Sequence, residues 1–182
     1  MHARHLLLNR SSMPRLIAPG PTPADLELLQ AAALRVPDHM NLVPYQFFVL
    51  QGEELEKLGQ VFQRAAQNEN MGDQAVARAP ELPLRAPLVF VLTTRYQSND
   101  KVPRAEQFAS AACAGHAVLQ MAFVQGYGAV WRTGPYAESN TVKEALGVAN
   151  EDIVGFIYIG TPAVATPIKP AKTETVFFPS PL

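Results

Sequence analysis

The polar side chains between Arg35 and Asn41 are the first candidates for chemistry in this sequence. A helical run of alanine and leucine ends at Pro37, and an apolar strand follows a few positions later. Arg35, His39 and Asn41 lie in or beside the break between these two elements. Donors and a titratable imidazole at such a corner need a partner, and a polar ligand is one candidate. The alternatives are that Asp38 serves only the turn, that the histidine is simply exposed, and that the arginine forms a surface ion pair.

A second candidate follows the first predicted helix, where Arg10, Ser11, Ser12 and Arg15 are close in sequence. Two guanidinium groups and two hydroxyls suit a phosphate, which carries about two negative charges and three acceptor oxygens. The same residues have a structural explanation, because arginines at a helix C-terminus complement the helix dipole and serines cap turns. The residue types alone leave both explanations open.

A third candidate lies at the end of a short predicted strand, where Trp131, Arg132 and Thr133 are consecutive. An aromatic ring next to a cation suits a ligand there, because binding sites gather where strands end. The chain's single tryptophan could instead serve only to fill the core. The sequence has no GxGxxG, P-loop or GxSxG motif, so a Rossmann domain, a P-loop enzyme and an α/β-hydrolase are poorly supported.

The composition narrows the class of protein. The chain has 182 residues, of which 48% are hydrophobic and 17% charged, and its net charge is −1. These values predict one domain over residues 1–182 and give no electrostatic basis for binding nucleic acid or a membrane. A single cysteine, Cys113, cannot form an intramolecular disulfide, and the histidine spacing predicts no metal site. We expect a cytoplasmic protein, because no apolar run approaches the ~20 residues of a membrane span and no signal-peptide pattern is present.

The periodicity of apolar residues predicts helices that alternate with strands. Helices are expected at 3–9, 23–35, 53–70, 105–125 and 139–146, and strands at 47–50, 88–94, 129–133 and 153–160. Between 68 and 86 we expect a helical excursion of modest order. His116 lies inside the small-residue helix and is expected to be a packed core residue. This order of elements predicts a three-layer α/β or α+β domain with a short mixed sheet.

Taken in order, these motifs resemble those of the nitroreductase-like flavoprotein family, in particular its small members of the YdjA type. The family's opening element of arginines and serine is matched by residues 10–15. Its helix ending in proline, with an asparagine four residues later, is matched by Pro37 and Asn41. The small-residue helix, Gly-x-Gly, Trp, Leu-Gly and the strand ending in Gly-x-Pro are matched within residues 109–117, 126–131, 144–147 and 154–162. The resemblance spans nearly the whole chain.

The resemblance implies an α+β, α/β/α sandwich with a mainly antiparallel sheet and a C-terminal tail extending over the partner subunit. It implies a homodimer that binds FMN between its subunits and uses NAD(P)H to reduce a nitroaromatic, quinone or similar conjugated acceptor by ping-pong hydride transfer. The flavin would carry the chemistry, so no side chain is assigned a catalytic role. The family's cofactor contacts correspond here to Arg10, Ser11, Ser12, Arg35, His39, Asn41, Trp131, Arg132 and Thr133.

Within that set, Arg10 and the two serines would hold the phosphate, while Arg35 and His39 would reach the cofactor from the other subunit. Ser11 replaces the second arginine of the usual opening, which shifts phosphate binding toward Arg15 or Lys169. Valine and tyrosine replace the usual glutamine and tryptophan before the strand at 47–50, which alters one wall of the pocket. Two alternatives stay open: a flavin oxidoreductase with a different physiological acceptor, and a non-catalytic FMN-binding dimer.

Overall fold

The structure is a computed structural model that describes residues 2–164, 170 and 172–180. Lys169, the alternative phosphate ligand, lies outside these residues. The strands are β1 (Leu16–Ile17), β2 (Tyr45–Gln51), β3 (Leu88–Thr94), β4 (Gly128–Arg132) and β5 (Ile153–Pro162). The α-helices are α1 (Ala3–Asn9), α2 (Pro23–Ala33), α3 (Glu53–Asn68), α4 (Asp73–Arg78), α5 (Arg104–Val124), α6 (Pro135–Glu138) and α7 (Asn140–Ala145). Short 3₁₀ turns are found at His39–Asn41, Ala79–Glu81 and Pro83–Arg85.

The strand pairings between the described residues are all antiparallel. β5 pairs with β1, β3 and β4, while β2 pairs with β3 alone and forms one end of the sheet. The mainly antiparallel sheet that the resemblance implies is therefore confirmed for this part of the chain, and the mixed pairing expected with it is wrong. A single helix between β2 and β3 would have returned the chain to the same end of the sheet and made the pair parallel. Here α3 is followed by a second pass through α4 and the 3₁₀ turns, so β3 begins at the opposite end.

Helices cover both faces of this sheet, which makes the three layers that the sequence predicts. Along β3 the side chains alternate, so that Val89 and Val91 face one core and Leu88, Phe90 and Leu92 face the other. The first core is closed by α3, α6 and α7, and the second by α2 and α5. Every residue of β3 is buried, as expected of a strand covered on both sides.

The start of α2 is determined locally and matches its prediction. Thr22 is the N-cap: its hydroxyl accepts the Asp25 backbone N–H at 3.3 Å, and the Asp25 carboxylate accepts the Thr22 backbone N–H at 2.9 Å. The same carboxylate accepts the hydroxyl of Tyr127 at 2.8 Å. The hydrogen bonds from Thr22 and Tyr127 lower the pKa of Asp25 and tie α2 to the chain that follows α5.

By length and composition α5 could cross a membrane, and in this structure it packs against α2 and against strands β2 to β5. Its small residues allow this close approach. A Cβ atom on Gly115 would lie 2.8 Å from the side chains of both Leu92 and Trp131. No element among the described residues covers one side of the helix. We call this side the open face of α5, and it consists of Ala109, Ala112, Cys113, His116 and Gln120.

The predicted elements are present with ends shifted by at most two residues, and those that the sequence missed are short. β1, α4 and α6 contain two, six and four residues, too few for apolar periodicity to identify them. The segment expected to be a loosely ordered excursion is packed tightly against α3. A Cβ atom on Gly59 would overlap the Pro80 backbone, and Ala79 beside it is fully buried.

Candidate functional site

The Arg10–Ser12 segment leaves α1 and is held beside β4. The backbone N–H of Met13 donates to the Ala129 carbonyl at 2.9 Å, which anchors the segment to the strand that ends at Trp131 and Arg132. Arg10, Ser11 and Ser12 are half-buried, and their side chains form no hydrogen bond or ion pair with the residues the structure describes. One cation and two hydroxyls that are half-buried without partners suit a phosphate group.

Arg10 also acts on α5 through His116. Partial burial of the imidazole and, to a smaller extent, the charge of Arg10 lower the pKa of His116. His116 is exposed on the open face of α5, so the prediction of a packed core histidine is wrong. The spacing of 109, 113, 116 and 120 is that of one helix face, and it was the signal that could have placed His116 there. His116 and Arg35 line the same cavity of about 720 Å³.

The corner between α2 and β2 is held in a strained backbone conformation. Met40, Asn41 and Val43 have φ angles of 65°, 51° and 47°. Such left-handed backbone costs about 1–2 kcal/mol for a residue other than glycine, and it is rarest for a β-branched residue. The Asp38 carboxylate accepts the Val43 backbone N–H at 2.7 Å, so the turn role considered for Asp38 is confirmed. Strained backbone of this kind is often found where a protein holds a ligand.

His39 pairs with the first turn of α5. Its Nδ1 lies 2.8 Å from Glu106 Oε2, and the two side chains are 53% and 51% exposed. An ion pair this exposed contributes at most about 1 kcal/mol to stability. Glu106 and His116 are separated by about 15 Å along the axis of α5, from the 1.5 Å rise per residue. His39 and Arg10 therefore meet α5 at well-separated points of the same chain.

Trp131 is fixed by the core. Its Nε1 donates to the Val154 carbonyl at 3.2 Å, and its ring lies against Gly155 and Gly115. The core-filling role considered for this tryptophan is thus confirmed, although it does not account for the residue that follows. Arg132 is half-buried, and its Nε is buried with no hydrogen-bond partner in the described part of the chain.

Trp131, Arg132 and Thr133 line a second cavity of about 420 Å³. Its floor includes Tyr158, which is 3% exposed and whose ring centroid is 5.7 Å from the guanidinium carbon of Arg132. Burial raises the pKa of Tyr158 to about 12, against the opposing effect of the charges of Arg132 and Arg85. The sequence did not point to Arg85 or Tyr158, because they come from distant parts of the chain and belong to no motif.

The nine predicted contacts are thus distributed over separate places in one chain. Ser11 and Ser12 lie beside β4, and Arg10 is close enough to His116 to lower its pKa. Arg35 lines the cavity at the open face of α5, and His39 lies at the start of that helix. Asn41 is exposed in the corner, and residues 131–133 line the second cavity. Among the described residues, the side chains in these places that lack hydrogen-bond partners include the guanidinium groups of Arg10 and Arg132 and the hydroxyls of Ser11 and Ser12. This donor set fits the phosphate and the polar edge of FMN, so the residues present are compatible with that cofactor.

Comparison with known proteins agrees with these features. The model of the family described as "Nitroreductase family" matches residues 16–161. The chain is 42% identical over 163 residues to "Putative NAD(P)H nitroreductase YdjA" of Escherichia coli (strain K12), a match that covers 89% of each chain.

Solved structures share the fold at lower identity. A nitroreductase-like family protein from Bacillus cereus superposes with a TM-score of 0.78 at 19% identity, covering 96% of this chain and 91% of the other. A protein described as a "putative nitroreductase in complex with fmn" from Desulfovibrio desulfuricans superposes with a TM-score of 0.71 at 17% identity, covering 98% of this chain and 97% of the other. With the family model spanning most of the chain and a close relative matching almost its full length, this protein belongs to the nitroreductase family.

Proposed function

We propose that this protein is an FMN-dependent oxidoreductase that uses NAD(P)H to reduce nitroaromatic, quinone or similar conjugated acceptors in the cytoplasm. Membership of the nitroreductase family supports this function, as does the 42% identity to a relative that carries that name. The observation that carries it is the half-buried Arg10–Ser12 segment, whose side chains have no hydrogen-bond or ion-pair partner among the described residues and which is anchored to the strand of Trp131 and Arg132. Bound FMN would supply the hydride-transfer chemistry.

The residues of the chain would bind and orient the cofactor rather than take part in covalent chemistry. Arg10, Ser11 and Ser12 would hold the phosphate through charge-assisted hydrogen bonds. The guanidinium of Arg132 would donate to the polar edge of the ring, where negative charge develops on reduction. Thr133 is exposed beside it and would line the ring.

A single open binding site beside the flavin would admit NAD(P)H first and the acceptor after it has left, which gives ping-pong kinetics. For a nitroaromatic, the nitro group takes up two electrons and two protons and becomes a nitroso group with the release of water. NAD(P)H supplies both electrons and one of the protons as a hydride, and solvent supplies the second proton. The nicotinamide leaves before the acceptor enters, so a separate nucleotide-binding domain is not required.

A homodimer would bring the separate contacts together. An isologous dimer pairs the same surface of both subunits, and the open face of α5 is suited to this because small residues allow helices to approach closely. If two α5 helices cross antiparallel near residue 111, midway between Glu106 and His116, the His39 of one subunit lies near the partner subunit's Arg10. This arrangement would complete the site from two chains and bury the open face.

The C-terminal tail would extend over the partner subunit. Residues 172–180 contain no helix or strand, and Val176, Phe177 and Phe178 are 75%, 90% and 77% exposed. Three consecutive apolar side chains this exposed favour burial against another surface. An apolar groove of about 400 Å³ between α2 and β2, beside the free edge of the sheet, is a suitable surface for them.

A spectrum of the purified protein tests the function. We expect a flavin absorption spectrum, release of FMN on denaturation, and bleaching when NADPH or NADH is added without oxygen. Arg10→Ala should lower FMN occupancy while the protein stays folded, with the unfolding midpoint of the FMN-free form unchanged. Protein that neither contains FMN nor binds it when added would contradict the proposal. FMN that binds but is never reduced by NAD(P)H would favour the non-catalytic dimer, and steady-state profiling would separate nitro compounds from other acceptors.

A further inference from the structure

The second cavity has an aromatic wall that the proposed cofactor contacts do not use. Phe62 on α3 and Tyr136 on α6 stack at a centroid separation of 4.3 Å and an interplanar angle of 14°. The Tyr158 floor continues this wall on the β5 side. The volume of about 420 Å³ lies within the range of about 300–1,000 Å³ that is typical of small-molecule sites. Its shape and lining suit a flat conjugated ring.

The same cavity carries positive charge without compensation. Arg85 and Arg132 line it, and no carboxylate does so within the described residues. Neither guanidinium forms an ion pair or a hydrogen bond in that part of the chain, and the Nε of Arg132 is buried without a partner. A buried donor without a partner is unfavourable, so an anion that accepts from it would be bound with a gain in stability.

We propose that this cavity binds planar aromatic carboxylates, and that such acids are the preferred acceptors of the enzyme. The second part rests on the proposed function. A guanidinium group presents two parallel N–H donors that match the two oxygens of a carboxylate. Arg85 is exposed at the mouth and Arg132 is half-buried, so one arginine would attract the acid group and the other would fix it. The ring of the acid would lie between the Tyr136 ring and the Tyr158 floor.

The position of the cavity relates it to the reaction. Trp131, Arg132 and Thr133 line it and are also the residues proposed to lie along the flavin. An acid held here would therefore be close to the cofactor, and its carboxylate would orient the conjugated ring. This interpretation assigns a binding role to Arg85, Tyr136 and Tyr158, which belong to no motif of the sequence.

The experiment compares 4-nitrobenzoate with its neutral analogue 4-nitrobenzamide on the full-length purified protein. Isothermal titration calorimetry gives the Kd of each compound, and NAD(P)H oxidation gives the ratio of their kcat/KM values. The test variant is Arg85→Met. The control is Arg64→Met, which removes the same charge from an exposed arginine of α3 that does not line the cavity.

We expect Arg85→Met to weaken 4-nitrobenzoate binding about tenfold or more, the range for losing a hydrogen-bonded charge. The ratio of kcat/KM for the acid over the amide should fall by the same factor, and Arg64→Met should change neither by more than about twofold. Because Arg85 is exposed, the unfolding midpoint of the Arg85→Met variant should equal that of the original protein. Arg132→Gln provides a second variant that should reduce the same ratio.

Four results would overturn the proposal. The first is an unchanged acid-to-amide ratio in Arg85→Met, and the second is an equal fall of that ratio in Arg64→Met. The third is an altered preference for NADPH over NADH in Arg85→Met with unchanged 4-nitrobenzoate binding, and the fourth is a loss of bound FMN from that variant as its sole effect. The third would assign the arginines to the coenzyme phosphate, and the fourth would assign the cavity to the flavin. A protein that binds 4-nitrobenzoate in the predicted way but oxidises no NAD(P)H would retain the carboxylate site and contradict the proposed function instead.

Discussion

The indole of Trp131 fills the space beside Gly155 that any other residue's side chain would occupy. Its Nε1 donates to the Val154 carbonyl at 3.2 Å, and its far edge lies against Gly115 on α5. A single aromatic ring is therefore clamped between β5 and α5 by two glycines. Because Arg132 and Thr133 follow directly in the chain, this clamp also determines where the cavity begins.

Gly155→Ala should destabilise the protein by about 1–3 kcal/mol, the usual cost of inserting a methyl group into a packed core. The new methyl group would meet the indole and the Arg132 carbonyl, so Trp131 has to move. Urea unfolding measures the loss, and the fluorescence of the single tryptophan reports its change of environment.

The same substitution in a Trp131→Phe background is the control for this prediction. A smaller ring leaves room for the methyl group, so the cost of Gly155→Ala should fall by about 1 kcal/mol or more. An equal cost in both backgrounds would show that the indole is not what the glycine accommodates.

Asp38→Ala should destabilise the corner between α2 and β2. The Asp38 carboxylate accepts the backbone N–H of Val43, and loss of a hydrogen bond to a charged group costs about 1.5–3 kcal/mol. Val43 has φ of 47°, so without this bond its backbone strain is no longer offset. Asp38→Asn keeps an oxygen acceptor and should recover most of the stability in the same unfolding assay. If both variants lose the same stability, the charge rather than the acceptor is what the corner needs.

The pKa of His116 should report on Arg10. Partial burial and the charge of Arg10 hold this pKa below the ordinary value of 6.5. The Arg10→Ala variant should therefore show a higher pKa in an NMR titration of the imidazole, still below 6.5 because burial remains. Binding of FMN should also raise it, since a phosphate brings negative charge. No change in Arg10→Ala would mean that the two side chains do not interact.

The lowered pKa of His116 makes the free energy of unfolding depend on pH. A histidine with a lowered pKa favours its neutral form in the folded state, so the stabilisation is present above pH 6.5 and is lost as the pH falls through the folded-state pKa. Unfolding free energies measured between pH 7 and 5 should decline less steeply in His116→Gln than in the original protein. An unchanged slope would contradict this assignment.

Ala109→Lys should disrupt the proposed dimer by placing a charge on the open face of α5. An unpaired charge buried in an interface costs about 3–5 kcal/mol, which weakens association by two orders of magnitude or more. Sedimentation equilibrium measures the change. Ala77→Lys on α4 is the matched control, because Ala77 is exposed away from that face.

Cys113 gives an independent measure of the same interface. It lies on the open face and is exposed in the single chain, so a dimer should protect its thiol from a water-soluble reagent such as DTNB. Ala109→Lys should restore rapid reaction. A dimer that leaves Cys113 fully reactive would place the subunit contact elsewhere.

Local chemistry determined much of this protein. The Thr22–Asp25 capping box begins α2 through side chains three residues apart, and the apolar run at 88–94 becomes a buried strand as its composition predicts. The ordered motifs were also sufficient to predict the family. These features depend on neighbours in sequence, and their physical cause is present in the sequence itself.

Only the tertiary structure decided the features that depend on contacts between segments distant in the sequence. A second helical pass between β2 and β3 made their pairing antiparallel where a mixed sheet was expected, and the open side of α5 exposed His116 where a core residue was expected. Arg85, Tyr136 and Tyr158 came together with Arg132 in one cavity although they share no motif. Burial and desolvation are properties of the folded chain, because they are set by which surfaces meet and not by the order of residues along the chain.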